Sequence, residues 1–373
     1  METRLGNYIH EYSVRNKLDE DIPVYSVTNS QGFCKDYFGK EVASKNKTSY
    51  KIVPKGYFAY NPSRINVGSV DWQRNEERVI VSPLYNVFYV DSEINHQYLF
   101  YFLKSNFALQ NIKAVATGSV RDNLKFEMLK EFQIKLLPLE EQNEIVEKLD
   151  LITKIIEEYK TELYKYDELI KARFIEMFGD PVSNSKHLPL KTLPQLGTFG
   201  RGVSKYRPRN APELLNGPYP LIQTGDIANS ELYIKNYNNT YSEVGLKQSK
   251  MWDKGTLCIT IAANIAKTAI LQFDACFPDS VVGFNGNNLT NNIFVHYWFS
   301  FFQEILENQA PESAQKNINL KILSELQIIT PDIIEQNQFA DFVRQVDKSR
   351  EDIKKALEKT QQLYDSLMQE YFG

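Results

Sequence analysis

The chain has 373 residues, of which 42% are hydrophobic and 24% charged, and its formal net charge is −4. No apolar run reaches the roughly 18–20 residues of a membrane span, the N-terminus has no apolar signal region, and three scattered cysteines argue against a disulfide framework or a structural zinc site. We therefore expect a cytoplasmic protein of two or three domains, without membrane contact, in which any nucleic-acid binding depends on local positive charge.

The first part of the chain mixes short alternating runs with turn signals, which predicts a compact α+β domain. YKIVPKGYFAY and RVIVSPLYNVFYV predict strands, and NHQYLFYFLKSNF predicts a buried helix. The stretch AYNPSRINVG predicts a loop whose polar side chains can pair with base edges or phosphates. The candidate DNA contacts in it are Tyr60, Asn61, Ser63, Arg64 and Asn66.

A long helix is predicted after Pro138, because apolar residues follow at heptad spacing over about four heptads. Gly179 and Pro181 provide its C-terminal stop. A helix of roughly 36 residues is about 55 Å long, and its apolar stripe needs a partner. The seam consists of Ile145, Leu149, Ile152, Ile156, Leu163 and Ile170.

A second domain of the same kind follows, with strands predicted at GTLCITIAA and TAILQF and a buried helix at VHYWFSFFQEIL. Its segment RGVSKYRPRN carries four basic residues and no acidic one, which indicates a candidate phosphate-binding or base-reading segment.

A second long helix closes the chain, with a looser seam of Val346, Ile353, Leu357 and Leu367. Arg350 and Thr360 occupy seam positions there. Two such helices in one chain most simply pack on each other. The sequence does not state their direction, and a pseudo-twofold arrangement favours an antiparallel pair.

The chain repeats itself. Glu141-Gln142-Asn143 and Glu335-Gln336-Asn337 are 194 positions apart, and upstream of them the shift between similar segments becomes 199. Two halves of about 180–190 residues therefore follow one plan, which indicates a duplicated domain rather than a solenoid.

Catalytic motifs are missing from the sequence. NPSR resembles the Asn-Pro-Pro-aromatic loop of amino-methyltransferases but lacks the second proline and the aromatic residue. No phosphate-binding G-x-x-x-x-G-K-[ST] loop occurs, and the four histidines have no metal-ligand spacing. The sequence thus predicts no catalytic residue and no metal site.

The chain resembles the specificity (S) subunit of type I DNA restriction–modification systems over essentially its whole length. LPLEEQNEIVEKLD with the following helix and MFGDP resembles the central conserved region of that family, and EQNQFADFVRQVDKS resembles its C-terminal copy. RNKLDEDIPVYSVTNSQGF with YKIVPKGYFAYNPSRINVGSV resembles a first target-recognition domain. GRGVSKYRPRNAPELLNGPYPLIQTGDI with KGTLCITIAANIAKTAIL resembles a second, although Gly202-Val203-Ser204 replaces the more usual small-Thr-Pro-Ser.

The resemblance implies an α+β fold with two target-recognition domains in pseudo-twofold duplication, each followed by a long helix, the two helices packing as an antiparallel coiled coil. The expected boundaries are 1–138 for the first recognition domain, 139–179 for the central helix, 180–189 for a linker, 190–333 for the second recognition domain and 334–373 for the C-terminal helix. The candidate DNA contacts of the second domain are Lys205, Tyr206, Arg207, Thr224, Asn264 and Lys267.

The resemblance also implies a division of labour. Each recognition domain reads half of a split target on double-stranded DNA, and the helices set the spacer. Two modification (methyltransferase) subunits dock on the helical regions and bring S-adenosylmethionine for N6-adenine methylation, and restriction (motor–nuclease) subunits bring ATP and Mg. The chain itself is expected to be non-catalytic and to have no cofactor of its own. The expected partner contacts are Glu141, Gln142, Asn143, Glu335, Gln336 and Asn337.

Two other hypotheses remain at this point. A coiled-coil scaffold that does not bind DNA explains the helices and the acidic balance, but not two elaborate domains with basic, Asn-rich loops. A stand-alone methyltransferase or nuclease is a third hypothesis, which methyl transfer by the isolated chain would support.

Overall fold

The computed structural model describes residues 2–35, 47–116, 123–262, 264–309 and 318–373. The chain forms two compact units, one of Met1–Lys160 with Lys354–Gly373 and the other of Thr161–Ile353. Each long helix therefore begins in one unit and ends in the other. The five-segment division expected from the sequence keeps each helix whole, and it stays a prediction.

The first unit consists of short strands followed by helices. Its strands are β1 (Glu2–Arg4), β2 (Ile9–Glu11), β3 (Ser26–Thr28), β4 (Gly32–Cys34), β5 (Lys51–Pro54), β6 (Phe58–Tyr60), β7 (Val70–Trp72), β8 (Arg78–Val81), β9 (Asn86–Val90) and β10 (Gln133–Lys135). Its helices are α1 (His96–Lys104), α2 (Asn106–Ala116), α3 (Phe126–Lys130) and the beginning of α4 (Leu139–Phe178).

The main sheet of the first unit has four antiparallel strands in the order β2-β9-β6-β7. Two-stranded antiparallel ladders join β5 to β8, β3 to β4 and β1 to β10. The ladder of β1 and β10 joins the beginning of the first domain to its last strand, immediately before α4.

The second unit contains more elements. Its strands are β11 (Leu190–Lys191), β12 (Gly197–Arg201), β13 (Leu215–Leu221), β14 (Tyr233–Ile234), β15 (Asn239–Tyr241), β16 (Met251–Trp252), β17 (Leu257–Thr260), β18 (Thr268–Leu271), β19 (Ala275–Cys276), β20 (Val281–Gly286) and β21 (Ile328–Ile329). Its helices are α5 (Leu193–Leu196), α6 (Thr224–Ala228), α7 (Glu243–Lys247), α8 (Asn292–Gln309), α9 (Leu320–Glu325) and the beginning of α10 (Ile333–Phe372).

The second unit repeats the plan of the first. Its five-stranded sheet has the order β12-β20-β17-β18-β14, in which the first four strands repeat β2-β9-β6-β7 with the same antiparallel pairings. The ladder of β11 and β21 repeats that of β1 and β10, and α8 follows β20 as α1 follows β9. The predicted α+β duplication is confirmed. The additional sheet β15-β13-β19-β16 belongs to the second unit.

The two hydrophobic cores include the ends of the long helices. In the first unit Phe372, from the end of α10, packs on Tyr98 of α1 with the ring centroids 5.1 Å apart. In the second unit Phe178, from the end of α4, packs on Phe294 of α8 at 5.0 Å. Phe178 and Phe372 are equivalent under the 194-residue shift, so each copy uses the same aromatic end.

The two long helices are antiparallel within each unit. In the first, Tyr364 of α10 lies near Asp150 of α4, and Leu357 lines a groove with Lys160. In the second, Arg350 contacts Asp167 at 3.1 Å. The residue numbers of the contacts decrease along α10 as they increase along α4, so the two helices run antiparallel, as predicted. Each helix has 40 residues and is about 60 Å long.

The seam side chains are all buried or half-buried. Those fully buried are Ile145, Leu149, Ile152, Ile156, Ile170 and Val346, and those half-buried are Leu163, Ile353, Leu357 and Leu367. Helix α4 ends where Gly179 adopts the left-handed conformation at φ +76°, the stop that the sequence predicts. Lys186 donates to the last carbonyls of this helix, at Glu176 and Met177.

Candidate nucleic-acid interface

The predicted loop of the first domain joins β6 to β7 and is held by its own main chain. Asn61 accepts at Oδ1 from the backbone N–H and the hydroxyl of Ser63, at 3.1 and 3.0 Å. The Asn61 carbonyl accepts from the N–H of Arg64 at 3.0 Å, and the Arg64 carbonyl accepts from Ser69 at 3.1 Å. The loop is therefore a short closed turn rather than an open excursion.

The side chains of this turn differ in exposure. Ser63 and Arg64 are exposed, whereas Asn61 and Asn66 are half-buried. The Arg64 guanidinium forms no ion pair with any residue that the structure describes, and the residue is exposed to solvent on the turn. An exposed cation held on a rigid turn can reach a phosphate or a base edge.

Tyr60 corrects one prediction. It is fully buried, its hydroxyl donates to the Leu124 carbonyl at 3.2 Å, and it accepts from the Asn86 amide at 2.8 Å. Burial raises the pKa of this phenol. The side chain supports the loop from the core and is not available for a direct DNA contact.

Lys104, on α1, is a residue of the site that the sequence did not indicate. Its ammonium donates to the carbonyl and the side-chain oxygen of Asn29, both at 3.0 Å, and to the carbonyl of Gly68. Burial lowers the pKa of Lys104 to about 8. Gly68 has φ +87°, and a Cβ there would meet the Asn29 Oδ1 at 2.6 Å, so glycine is required where the turn closes against this lysine.

The equivalent loop of the second domain joins β17 to β18 and includes Asn264 and Lys267. Thr260 closes it: its hydroxyl donates to the carbonyls of Asn264 and Lys267 and accepts from the Lys267 N–H at 3.0 Å. Asn264 is exposed with φ +39°, and Lys267 is half-buried. Thr260 thus has the role that Asn61 has in the first domain.

The basic segment after β12 is anchored on Asp279. Arg209 pairs with this carboxylate at 2.6 Å, and Arg207 lies 3.9 Å from it. Arg207 also donates to the carbonyls of Ser204 and Tyr206. The Tyr206 hydroxyl donates to Glu213 at 2.9 Å. Lys205, Tyr206 and Arg207 are all exposed, and the sequence alone gave no sign of Asp279 as their counter-ion.

Sheet register brings the candidate loops of each domain to one end of its sheet. Arg201 pairs with Val282 and Thr260 with Val281, so the basic segment and the loop of Asn264 both begin beside the start of β20. In the first domain Tyr60 pairs with Asn86 at the start of β9, which places the Arg64 turn at the equivalent end. Thr224 is half-buried at the first position of α6, which packs on β17 and β18.

The repeated Glu-Gln-Asn tripeptide has a structural role in the first copy. Gln142 is fully buried, accepts from the Asn95 N–H at 2.8 Å, and donates to the carbonyls of Glu93 and Leu137. Asn143 accepts at Oδ1 from the Asn95 side-chain amide at 2.8 Å. Asn95 is the N-cap of α1. These bonds clamp the start of α4 to the first domain.

The second copy has the same clamp. Gln336 is fully buried, accepts from the Asn291 N–H at 3.0 Å, and donates to the carbonyls of Leu289 and Pro331. Asn337 accepts from the Asn291 side-chain amide at 2.8 Å. The repeat therefore preserves a join between domain and helix.

This geometry corrects the prediction that the two glutamines bind a partner, because both side chains are enclosed within their own unit. Glu141, Asn143, Glu335 and Asn337 are exposed. The partners of the clamp, Asn95 and Asn291, were missed. Each is an Asn before an aromatic helical run, which is an N-cap signal that could have found them.

Two absences concern only the residues that the structure describes. Within the described ranges, no group of three His, Cys, Asp or Glu side chains could hold a metal ion. Across the same part of the chain, no helix is long and apolar enough to cross a membrane.

Comparison with known proteins gives a family match to both halves. Residues 6–165 and 192–363 each match the type I restriction modification DNA specificity domain. A curated relative from Methanocaldococcus jannaschii, provisionally named as the specificity subunit of type I restriction enzyme MjaX, is 25% identical over 297 residues, or 73% of this chain and 68% of the relative.

Solved structures share the fold over the whole chain. One, from work on complex assembly and conformational transition of the type I R-M system, has a TM-score of 0.60 at 17% identity and covers 100% of this chain and 97% of its own. The S subunit of a type I restriction–modification system from M. genitalium has a TM-score of 0.59 at 14% identity and covers 100% and 96%.

Proposed function

Since the chain belongs to the type I restriction modification DNA specificity family, we propose that its two recognition domains read the two halves of a split DNA target. The family supplies sequence recognition to type I restriction–modification complexes, and the chain is accordingly a DNA-recognising, non-catalytic specificity subunit.

The observation that carries the proposal is the equivalent placement of polar loops in the two copies. The Arg64 turn follows β6, and the loop of Asn264 and Lys267 follows β17, at matching ends of sheets with the same strand order. Two recognition surfaces built on one plan suit a target with two specified blocks. Arg64 and Asn61 are assigned to the first block.

The second block is assigned to the basic segment and the loop beside it. Lys205 and Lys267 are assigned to phosphates, because an ammonium acts as a point charge. Arg207, whose guanidinium is fixed by main-chain carbonyls, is assigned to a phosphate or a guanine edge. Tyr206, Thr224 and Asn264 complete the candidate surface.

The helices are proposed to set the spacer. Half-sites on one face of B-DNA are about 34 Å apart per helical turn. A helix of about 60 Å is long enough to span that distance and still have its ends buried in hydrophobic cores. Phe178 at the end of α4 and Phe372 at the end of α10 are buried in this way.

Docking of two modification subunits is proposed on the helices, and exposed leucines support it. Leu169 of α4 and Leu363 of α10 are 47% and 51% exposed, and they are equivalent under the 194-residue shift. The duplicated chain thus offers the same apolar side chain twice. Glu141, Asn143, Glu335 and Asn337 remain candidate polar contacts. S-adenosylmethionine, ATP and Mg are assigned to the partner subunits, and the complex is proposed to act in the cytoplasm.

Domain exchange tests the proposed function. Replacing residues 190–333 with the second domain of another family member should change one block of the methylated motif and preserve the other. Methylated-base mapping of DNA from cells that carry the complex measures both blocks. A continuous motif, or a change in both blocks, would contradict the two-domain assignment.

A further inference from the structure

One buried cation interrupts the helix seam of the second unit. Arg350 of α10 occupies a seam position, and its side chain is only 7% exposed. The guanidinium contacts carboxylates of three separate segments: Asp167 of α4 at 3.1 Å, Glu231 of the recognition domain at 3.2 Å and Asp347 of α10 at 3.5 Å. These four side chains are called the Arg350 node below.

The composition of the Arg350 node argues against a purely stabilising role. Removing a guanidinium from water is costly, and a well-packed apolar residue at such a place is often as stabilising. The Nε of Arg350 is buried and has no hydrogen-bond partner among the described residues. Three carboxylates also face one cation. An arrangement of this kind holds segments in a chosen geometry, because the planar guanidinium fork bonds in fixed directions.

A second ion pair joins the same parts of the unit. Lys235, just after β14, pairs with Glu351 of α10 at 2.6 Å. Both Glu231 and Lys235 flank β14, which is the edge strand of the five-stranded sheet. The edge of the second recognition domain is therefore tied to the helices at two neighbouring points.

The first copy has no equivalent of this cation. Under the 194-residue shift, the residue of the first copy that corresponds to Arg350 is Ile156, which is a buried apolar residue of the seam. Both copies have the Gln–Asn clamp at the start of their long helix, but the cation belongs to the second copy alone at this seam position. The duplication is thus chemically asymmetric.

We propose that Arg350 is a positioning residue that fixes the second recognition domain on the helices and thereby sets how strictly the complex selects spacer length. This rests on the proposed function, in which the helices separate two half-sites. The clamp and the shared hydrophobic core hold this domain at the ends of the helices. The Arg350 node adds directional bonds at another edge of the same domain, so its loss lets the angle between domain and helices vary and widens the range of spacers accepted.

Spacer discrimination tests the proposal. The complex of the full chain with the modification subunits is offered duplexes that carry both half-sites with the native spacer, or with a spacer one base pair shorter or longer. Arg350→Met should lower the preference for the native spacer at least about tenfold, equivalent to about 1.4 kcal/mol. Base preference within each half-site should not change. Arg350→Lys, which keeps the charge and loses the fork, should retain part of the preference.

Two further variants keep the outcome decisive. Ile156→Met, the matched control at the equivalent seam position, should leave spacer preference as in the unmodified complex. Glu231→Gln removes the charge that links the recognition domain to Arg350 and leaves Asp167 and Asp347 beside the cation. It should relax spacer preference even if Arg350→Met does not fold. Unchanged preference in folded Glu231→Gln and Arg350→Met complexes, or an equal loss with Ile156→Met, overturns the proposal. An unmodified complex without any spacer preference would instead contradict the proposed function.

Discussion

The Arg64 turn carries the two exposed candidate DNA contacts of the first domain, Ser63 and Arg64. Its guanidinium is exposed, while Asn61 and Ser63 fix the backbone beneath it. Arg64→Ala should therefore weaken DNA binding without unfolding the domain. If Arg64 reads a base, the cost should be about 1–3 kcal/mol, with relaxed discrimination at one position of the first block. If it contacts a phosphate, affinity should fall evenly and the salt slope should drop by about one.

The matched control is Arg78→Ala on the same domain. Arg78 is half exposed and pairs with Glu20, so its removal should affect local stability rather than DNA affinity. Titration of labelled duplexes at several salt concentrations measures both variants. Normal affinity and specificity in a folded Arg64→Ala complex would remove this turn from the DNA surface.

His296 gives the second unit a predictable acid sensitivity. Its Nδ1 lies 2.9 Å from the Thr268 hydroxyl, and burial lowers the pKa of the ring from 6.5 to about 4. Between these pH values the unfolded chain binds more protons than the folded one, so the free energy of unfolding falls as pH falls from about 6.5 to 4. The loss is at most about 3 kcal/mol.

His296→Gln should flatten that part of the pH profile, because glutamine does not titrate. The charged groups around the same cleft are Lys267, Asp167, Glu231 and Arg350, and they remain in the variant. Denaturant unfolding at a series of pH values measures the difference from the original chain. His187→Gln, at an exposed histidine, is the control and should keep the original slope. Identical slopes for all three proteins would contradict the effect.

At the level of residues, the sequence predicted local features better than pairings. The exposed Arg64 and the Gly179 helix stop follow from neighbouring residues in the chain. Tyr60 was wrong as a DNA contact, because an aromatic residue at a strand end gives no sign of whether it faces the core. Lys104 was missed because its acceptors, Asn29 and Gly68, come near it only in the folded domain.

At the level of elements, heptad spacing predicted both long helices. Their antiparallel direction is seen in the contacts between them within each unit. The heptad pattern showed Arg350 only as a break in the apolar seam, since two of its three carboxylates, Asp167 and Glu231, come from segments distant in sequence. The order of strands in the sheets was not predicted either. It depends on non-local pairing, such as β6 with β9, which a single sequence does not indicate.

The helices should act as a ruler whose length can be changed. Each passes from one unit to the other between Lys160 and Thr161 in α4 and between Ile353 and Lys354 in α10. One heptad inserted at both points keeps the seam in phase and adds about 10 Å, or roughly three base pairs. Methylated-base mapping should then find a longer spacer between unchanged blocks. Activity should fall somewhat, because three base pairs also rotate one block by about a third of a helical turn.

The control is a heptad inserted into one helix only. The antiparallel seam then loses its pairing on one side of the insertion, and assembly should be lost rather than redirected. An active complex that keeps the original spacer after the double insertion would exclude the helices as the ruler.

At the level of the whole molecule, duplication was the most informative feature of the sequence. It predicted two copies of one α+β plan, and the common strand order confirms it. It also led to a wrong interpretation of the two glutamines in the repeated tripeptide, because any feature that each copy needs for its own folding is repeated as faithfully as a binding surface. Gln142 and Gln336 belong to the former kind. Exposure, which separates the two kinds, is not visible in the sequence.

A docking surface that is present twice needs side chains that are repeated in both copies and exposed to solvent. Leu169 and Leu363 have both properties, since they are equivalent in sequence and half exposed in the structure. A glutamate at either position would place a charge in an apolar contact, which is unfavourable once water is excluded. Leu169→Glu and Leu363→Glu should therefore each leave a complex with one modification subunit instead of two, and the double variant should bind none. Native mass spectrometry counts the subunits, and thermal unfolding checks that each variant folds. Leu18→Glu, at a leucine that is 84% exposed outside the helices, is the control and should keep both subunits. If the double variant still binds two, the docking surface lies elsewhere on the chain, and the shared exposure of the two leucines has another cause.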